Sequence, residues 1–305
     1  MIVYAKSEEV RNELNKRTKD DIILTDQIGE ADIIVSGRLS EKDIHKGIKA
    51  MIIPYVGYNQ IDIDLLNKHQ IALFNTQVNG VFVAERALGL CLSLLGKITL
   101  DHHNLKDDVW SAYESPSEWI SLRNKRVGLL GYGVIGKAIH EMVKPFDVVA
   151  YTIDRGKEYV DISLVQTIEE LIDQVDVLFV QVPLDDTTEG LLDLDLLKRM
   201  NNKFLINVGR GKVIDEDALY QVLQDGTLKG FASDVWYQYP KKRTEKRAPS
   251  KYPICSFNHV VCTSHSAGNV EGIDARTYDD VAKRIEALSN GHYEGNIILR
   301  KEDKK

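Results

Sequence analysis

Short apolar runs rich in isoleucine and valine alternate with charged, helix-forming stretches, and the alternation is completed twice along the chain. The first set comprises Ile2-Val3-Tyr4, Ile22-Ile23-Leu24, Ile33-Ile34-Val35, Met51-Ile52-Ile53 and Ile71-Ala72-Leu73-Phe74. Its runs are too short for helices and too uniformly apolar for strands with one face in water. They therefore read as parallel strands buried on both faces. A long, sparsely charged helix follows, over about residues 81–98. The rhythm then resumes with Val127-Gly128-Leu129-Leu130, Val148-Val149-Ala150-Tyr151, Val177-Leu178-Phe179-Val180, Phe204-Leu205-Ile206-Asn207, Phe231-Ala232-Ser233-Asp234 and His259-Val260-Val261-Cys262. Strand, helix, strand on this scale predicts an α/β protein with two doubly wound parallel-sheet domains. The turn-rich residues 114–117 lead into the second sheet.

Composition excludes several function classes. Thirty-nine basic residues against 46 acidic ones give a net charge of −7, so the chain has no broad electrostatic footprint for nucleic acid. The basic run at residues 241–247 reads as a solvated loop. The longest uncharged helical stretch, residues 87–96, is far shorter than the roughly 20 residues that span a bilayer. Met1-Ile2-Val3-Tyr4 opens as a strand and not as a signal peptide. Three cysteines without a C-x-x-C pair argue against a disulfide framework and a structural zinc site, and for a reducing, cytoplasmic setting. His140-Glu141 begins like H-E-x-x-H, but Lys144 stands where the second histidine belongs, and no metal is expected.

Gly131-Tyr132-Gly133-Val134-Ile135-Gly136 is G-x-G-x-x-G, placed between a hydrophobic strand and a helix. Gly131 permits the tight turn, Gly133 lets the backbone approach a pyrophosphate, and Gly136 lets the helix pack on the strand. The N–H groups that open the helix, at Val134 and Ile135 among others, then face the phosphates. An acidic residue about 20 positions on would hold the ribose hydroxyls. Counting places Thr152 at the strand end, with Asp154 and Arg155 just beyond. A neutral Thr152 and a cationic Arg155 favour NADP, whereas Asp154 after a small shift of the loop would suit NAD.

A second stretch, Ile206-Asn207-Val208-Gly209-Arg210-Gly211-Lys212-Val213-Ile214-Asp215, joins the glycine motif in resembling the D-isomer-specific 2-hydroxyacid dehydrogenases. Four further segments follow the family's order. They are Val56-Gly57-Tyr58-Asn59-Gln60-Ile61-Asp62, then Asn79 with Val83-Ala84-Glu85, then Pro183-Leu184 through Thr188 and Gly190-Leu191, and last Asp234-Val235 with Thr263-Ser264-His265-Ser266-Ala267-Gly268. The resemblance implies a flavodoxin-like substrate domain at residues 1–96 and 271–305, and a Rossmann dinucleotide domain at 97–270. It also implies a homodimer, a substrate cleft between the domains, and hydride exchange between NAD(P) and a small 2-oxo or 2-hydroxy acid of the glyoxylate, hydroxypyruvate or phosphoglycerate type. Arg210 would bind the substrate carboxylate and polarise its carbonyl, and His265 would move the proton. Val56, Gly57 and Asn79 would contact substrate. Val182, Pro183, Thr188, Val208, Gly209, Asp234, His265 and Gly268 would join the glycine motif, Thr152 and Arg155 around the cofactor.

The chain departs from the family beside its histidine. A glutamate normally stands where this sequence has Tyr239, and a phenol carries no charge to hold the imidazole protonated. Ser264 replaces the usual proline before His265. Formate dehydrogenases have a glutamine at the Tyr239 position, and Gln238 lies one residue away. A formate dehydrogenase-like enzyme, or a nucleotide-sensing protein without turnover, are therefore the alternatives; Glu245 folding back toward His265 is a further one.

Overall fold

The computed structural model describes residues 1–58, 60–110, 118–157, 159–242, 244–293 and 297–299. Asn59, Arg243 and the turn expected at 114–117 lie outside the described residues. The chain divides into two compact units, residues 1–80 with 269–305, and residues 81–268.

The first unit runs β1 (Ile2–Ala5), α1 (Glu8–Asn15), β2 (Ile23–Thr25), β3 (Ile33–Val35), β4 (Ala50–Ile53), α2 (Ile63–Lys68) and β5 (Ala72–Asn75). The second holds α3 (Gly80–Leu95), which starts at the boundary, then α4 (Ile98–Lys106), β6 (Arg126–Leu130), α5 (Val134–Val143), β7 (Val149–Ile153), β8 (Ser163–Val165), α6 (Ile168–Gln174), β9 (Val177–Val180), α7 (Leu194–Arg199), β10 (Phe204–Asn207), α8 (Glu216–Gln224), β11 (Gly230–Ser233) and β12 (Val260–Cys262). The chain returns to the first unit with α9 (Ile273–Ser289) and β13 (Ile297–Leu299).

Both sheets are doubly wound. The first has the order β13-β5-β4-β3-β1-β2, parallel except for antiparallel β13. The second is β12-β11-β10-β9-β6-β7-β8 and parallel throughout. Strand order reverses between β1 and β3, and again between β6 and β9; such reversals open a crevice at the carboxyl edge where ligands bind. Strands β4, β5, β9, β10 and β11 are buried at every residue, as expected where helices cover both faces. In the first unit Val281, Ala282, Ile285 and Leu288 of α9 pack with Val3, Ile33 and Ile52 on one face. Leu66 and Ile71 join Ile34 and Ile53 on the other. Aspartates cap helices where the sequence places them: Asp62 accepts from Leu65 N–H at 2.9 Å, and Asp215 from Ala218 N–H at 2.8 Å.

Two expectations change. The boundary falls near Gly80, not at 96, because α3 buries Val83, Ala84, Ala87 and Cys91 in one core with Val127 and Phe179 of the second sheet. Cys255 and Cys262 form a disulfide, seven residues apart in sequence, so the cysteine argument for a reducing compartment loses its support. Cys91 is free, and burial pushes its thiol up to about 12. No helix among the described residues is long and apolar enough to cross a membrane.

Candidate active site

The glycine motif lies at the β6–β9 crevice. Gly131 has φ +104°, a backbone angle that side-chain-bearing residues rarely adopt, and a Cβ at Gly136 would collide with the Gly131 carbonyl. Around Gly133 a Cβ would meet nothing within 4 Å, so the space beside the N-terminus of α5 is open. Gly133 caps that helix without a side chain, leaving the Val134, Ile135 and Gly136 N–H groups for a ligand. The Val134 side chain is exposed there, whereas Ile135 packs into the core below.

Across the crevice, Gln181 follows β9. Its Nε2 donates to the Gly131 carbonyl at 2.6 Å, while its buried Oε1 has no protein partner. Open space at Gly133, free helix N–H groups and an orphaned amide oxygen together fit a dinucleotide at this edge. Bound there, nicotinamide would supply or accept the hydride.

Thr152 does not end its strand. Strand β7 continues to Ile153, and Thr152 is 2% exposed with its hydroxyl donating to Leu129 O at 2.9 Å. Asp154 stands at the exit and accepts from Gly156 N–H at 2.8 Å, with Arg155 exposed beside it. Farther along the same edge, the Val208 and Gly209 N–H groups both donate to Val180 O, and Asn207 Oδ1 accepts from Gly209 N–H at 3.1 Å. Thr188 pins the loop after Val182 by donating to Pro183 O at 2.7 Å.

Arg210 and His265 emerge from this framework. Asn207 Nδ2 holds the Arg210 carbonyl at 3.0 Å, and Arg210 donates to Gly209 O at 2.7 Å. Burial pulls the guanidinium below the ordinary arginine value, which primes it for an anion. His265 sits at φ +55°, in the left-handed region. Asp234 secures that bend: its carboxylate accepts from Thr263 Oγ1 at 2.6 Å, Ser266 N–H at 3.0 Å and Ala267 N–H at 2.9 Å. At 1% exposure, Asp234 is thus turned into the histidine loop. Gly268 closes the loop.

Tyr239 lies against His265 with ring centroids 5.1 Å apart, and its hydroxyl accepts from Trp236 N–H at 2.9 Å. Glu245 is occupied elsewhere, accepting from Lys241 N–H at 2.7 Å and pairing with Arg247 at 3.5 Å. Although the imidazole reaches solvent, burial of the remainder and the Arg210 charge lower its pKa from the usual histidine value, against the opposing pull of Asp234. In the first unit, Asn75 Nδ2 donates to Val56 O at 2.6 Å, setting the Val56-Gly57 loop, and the buried Oδ1 atoms of Asn75 and Asn79 have no partner. Asn75, Asn207 and Gln181 were not singled out by sequence.

Residues 88–267 match the D-isomer specific 2-hydroxyacid dehydrogenase, NAD binding domain. The chain belongs to this family. D-3-phosphoglycerate dehydrogenase of Methanocaldococcus jannaschii is 27% identical over 92% of the chain and 54% of its own length, so the chain spans about half of that relative. Formate dehydrogenase of Chaetomium thermophilum is 26% identical over 82% of this chain and 70% of its own. Among solved structures, the NADPH-dependent glyoxylate/hydroxypyruvate reductase of Sinorhizobium meliloti superposes with a TM-score of 0.78 at 25% identity, covering 99% of each chain.

Proposed function

We propose that the protein transfers hydride between a nicotinamide dinucleotide and a small D-2-hydroxy or 2-oxo acid. The observation that carries this reading is the convergence of Arg210 and His265 on the dinucleotide-binding edge. Arg210 binds the substrate carboxylate and polarises the reacting carbonyl. His265, whose pKa burial and the Arg210 charge lower, takes the hydroxyl proton during oxidation and must first be protonated to act as the acid in reduction. Val56, Gly57 and Asn79 of the first unit are the proposed substrate contacts.

NAD is the preferred cofactor on this reading, because the residue at the β7 exit is the carboxylate of Asp154 and not a neutral side chain. Replacing Asp154 with Ala should raise NADPH affinity relative to NADH, with Arg155 then free to meet the 2′-phosphate. A second reading, formate oxidation, is favoured by the absence of a carboxylate contact to His265 among the described residues, since hydride loss from formate releases carbon dioxide without a proton acid.

A panel of glyoxylate, hydroxypyruvate and formate with each cofactor, followed at the nicotinamide absorbance band, separates the readings. Arg210→Ala should lower kcat/KM for oxo acids by at least 100-fold, about 2.7 kcal/mol, while NADH still binds. Loss of NADH binding in that variant would remove Arg210 from the substrate role. The homodimer is proposed on the exposed Ile98, Leu105, Trp110 and Trp119 that follow α3.

A further inference from the structure

His140 remains without a role in the hydride chemistry, and its surroundings are specific. It lies two turns into α5, 3% exposed, and its Nδ1 is 2.6 Å from the hydroxyl of Tyr132, the residue between the first two glycines of the motif. Lys144, just past the end of α5, reaches the Asp161 carboxylate at 3.8 Å. Burial, with Lys144, lowers the pKa of the imidazole against the raising effects of Glu141 and Asp161. Tyr159 closes the group, packing edge-on against Tyr132 with centroids 5.1 Å apart.

Three segments meet around Tyr132 and His140. Tyr132 belongs to the turn that faces the pyrophosphate. His140 belongs to the helix whose N-terminus does so. Tyr159 and Asp161 belong to the stretch after β7 whose start, at Asp154 and Arg155, faces the adenosine ribose in a Rossmann domain. Asp161 itself adopts φ +59°, so that stretch is held in a bend it would not favour unaided.

We propose that Tyr132 and His140 are positioning residues that lock the ribose-recognition loop to the phosphate turn, and so set affinity for the adenosine half of the cofactor. This rests on the reading that residues 131–136 hold a dinucleotide; NADH titration of the unaltered protein tests that reading separately. Tyr132→Phe keeps the ring packed on Tyr159 and removes only the bond to His140. His140→Leu removes the same bond from the other side, whereas His140→Gln retains an acceptor of similar reach.

The test titrates each variant calorimetrically with NADH, with ADP-ribose, which lacks the nicotinamide ring, and with reduced nicotinamide mononucleotide, which lacks the adenosine half. Losing this one part-buried hydrogen bond should weaken NADH and ADP-ribose together by about three- to tenfold in Tyr132→Phe. His140→Leu should weaken them by a similar factor and His140→Gln should recover most of the loss, with mononucleotide binding unchanged throughout. A general destabilisation of the domain would weaken all three ligands alike. That outcome, or unchanged ADP-ribose affinity in both Tyr132→Phe and His140→Leu, overturns the proposal.

Discussion

Tyr239 beside His265 puts an uncharged ring where a carboxylate would hold the imidazole protonated. Burial and Arg210 then act on His265 against the opposing pull of Asp234, and its pKa falls below the ordinary value of about 6.5. The sign for catalysis follows from which form does the work. Reduction consumes imidazolium, so kcat/KM for 2-oxo acids should fall as pH rises through this lowered value. Oxidation uses the neutral form, so its rate should rise through the same point. Tyr239→Glu should move both limbs to higher pH. Glu245→Gln should leave them in place, because Glu245 is held by Lys241 and Arg247. Paired pH–rate profiles check this; a shift on removing Glu245 would show that it reaches His265 in solution.

At the scale of elements, the histidine loop is held from the neighbouring strand. Thr263 N–H donates to Ser233 O at 3.0 Å, and Asp234 then receives two N–H groups and a hydroxyl from the residues that follow. Asp234→Asn turns one of these acceptors into a donor facing an N–H. Each hydrogen bond to the charged group is worth about 1.5–3 kcal/mol, so the variant should lose several degrees in Tm and at least tenfold in kcat. NADH affinity should stay within a few fold; a larger loss would show that Asp234 also touches the cofactor.

Such loop interactions also mark where the sequence stops being informative. Strands β4, β5, β9 and β10 are legible because burial on both faces demands an unbroken apolar run. The G-x-G-x-x-G turn is legible because only glycine satisfies Gly131 and Gly136. Thr152 misleads because a threonine closing an apolar run looks like a strand exit, while its buried bond to Leu129 joins residues 23 apart. Gln181 carries no local signal at all: its role arises from the pairing of β9 with β6, which brings it to Gly131 across 50 residues.

The whole molecule consists of two units with separate cores. Both faces of the second sheet are covered by residues from 83–267, and both faces of the first by residues outside that span. A unit that owns its core can fold alone. The second is also continuous in sequence, unlike the first, which is assembled from the two ends of the chain. Every residue assigned here to the dinucleotide, together with Arg210, Tyr239 and His265, lies within 81–268, whereas Val56, Gly57 and Asn79 do not. Residues 81–268 expressed alone should therefore unfold cooperatively and bind NADH within about tenfold of the full chain, a difference of ~1.4 kcal/mol. They should show no turnover with any 2-oxo acid that the full chain reduces, because the proposed substrate contacts are missing. Fluorescence titration and the same substrate panel measure both properties. A fragment that folds but fails to bind NADH would place part of the cofactor site in the first unit, and one that turns over would remove Val56, Gly57 and Asn79 from catalysis.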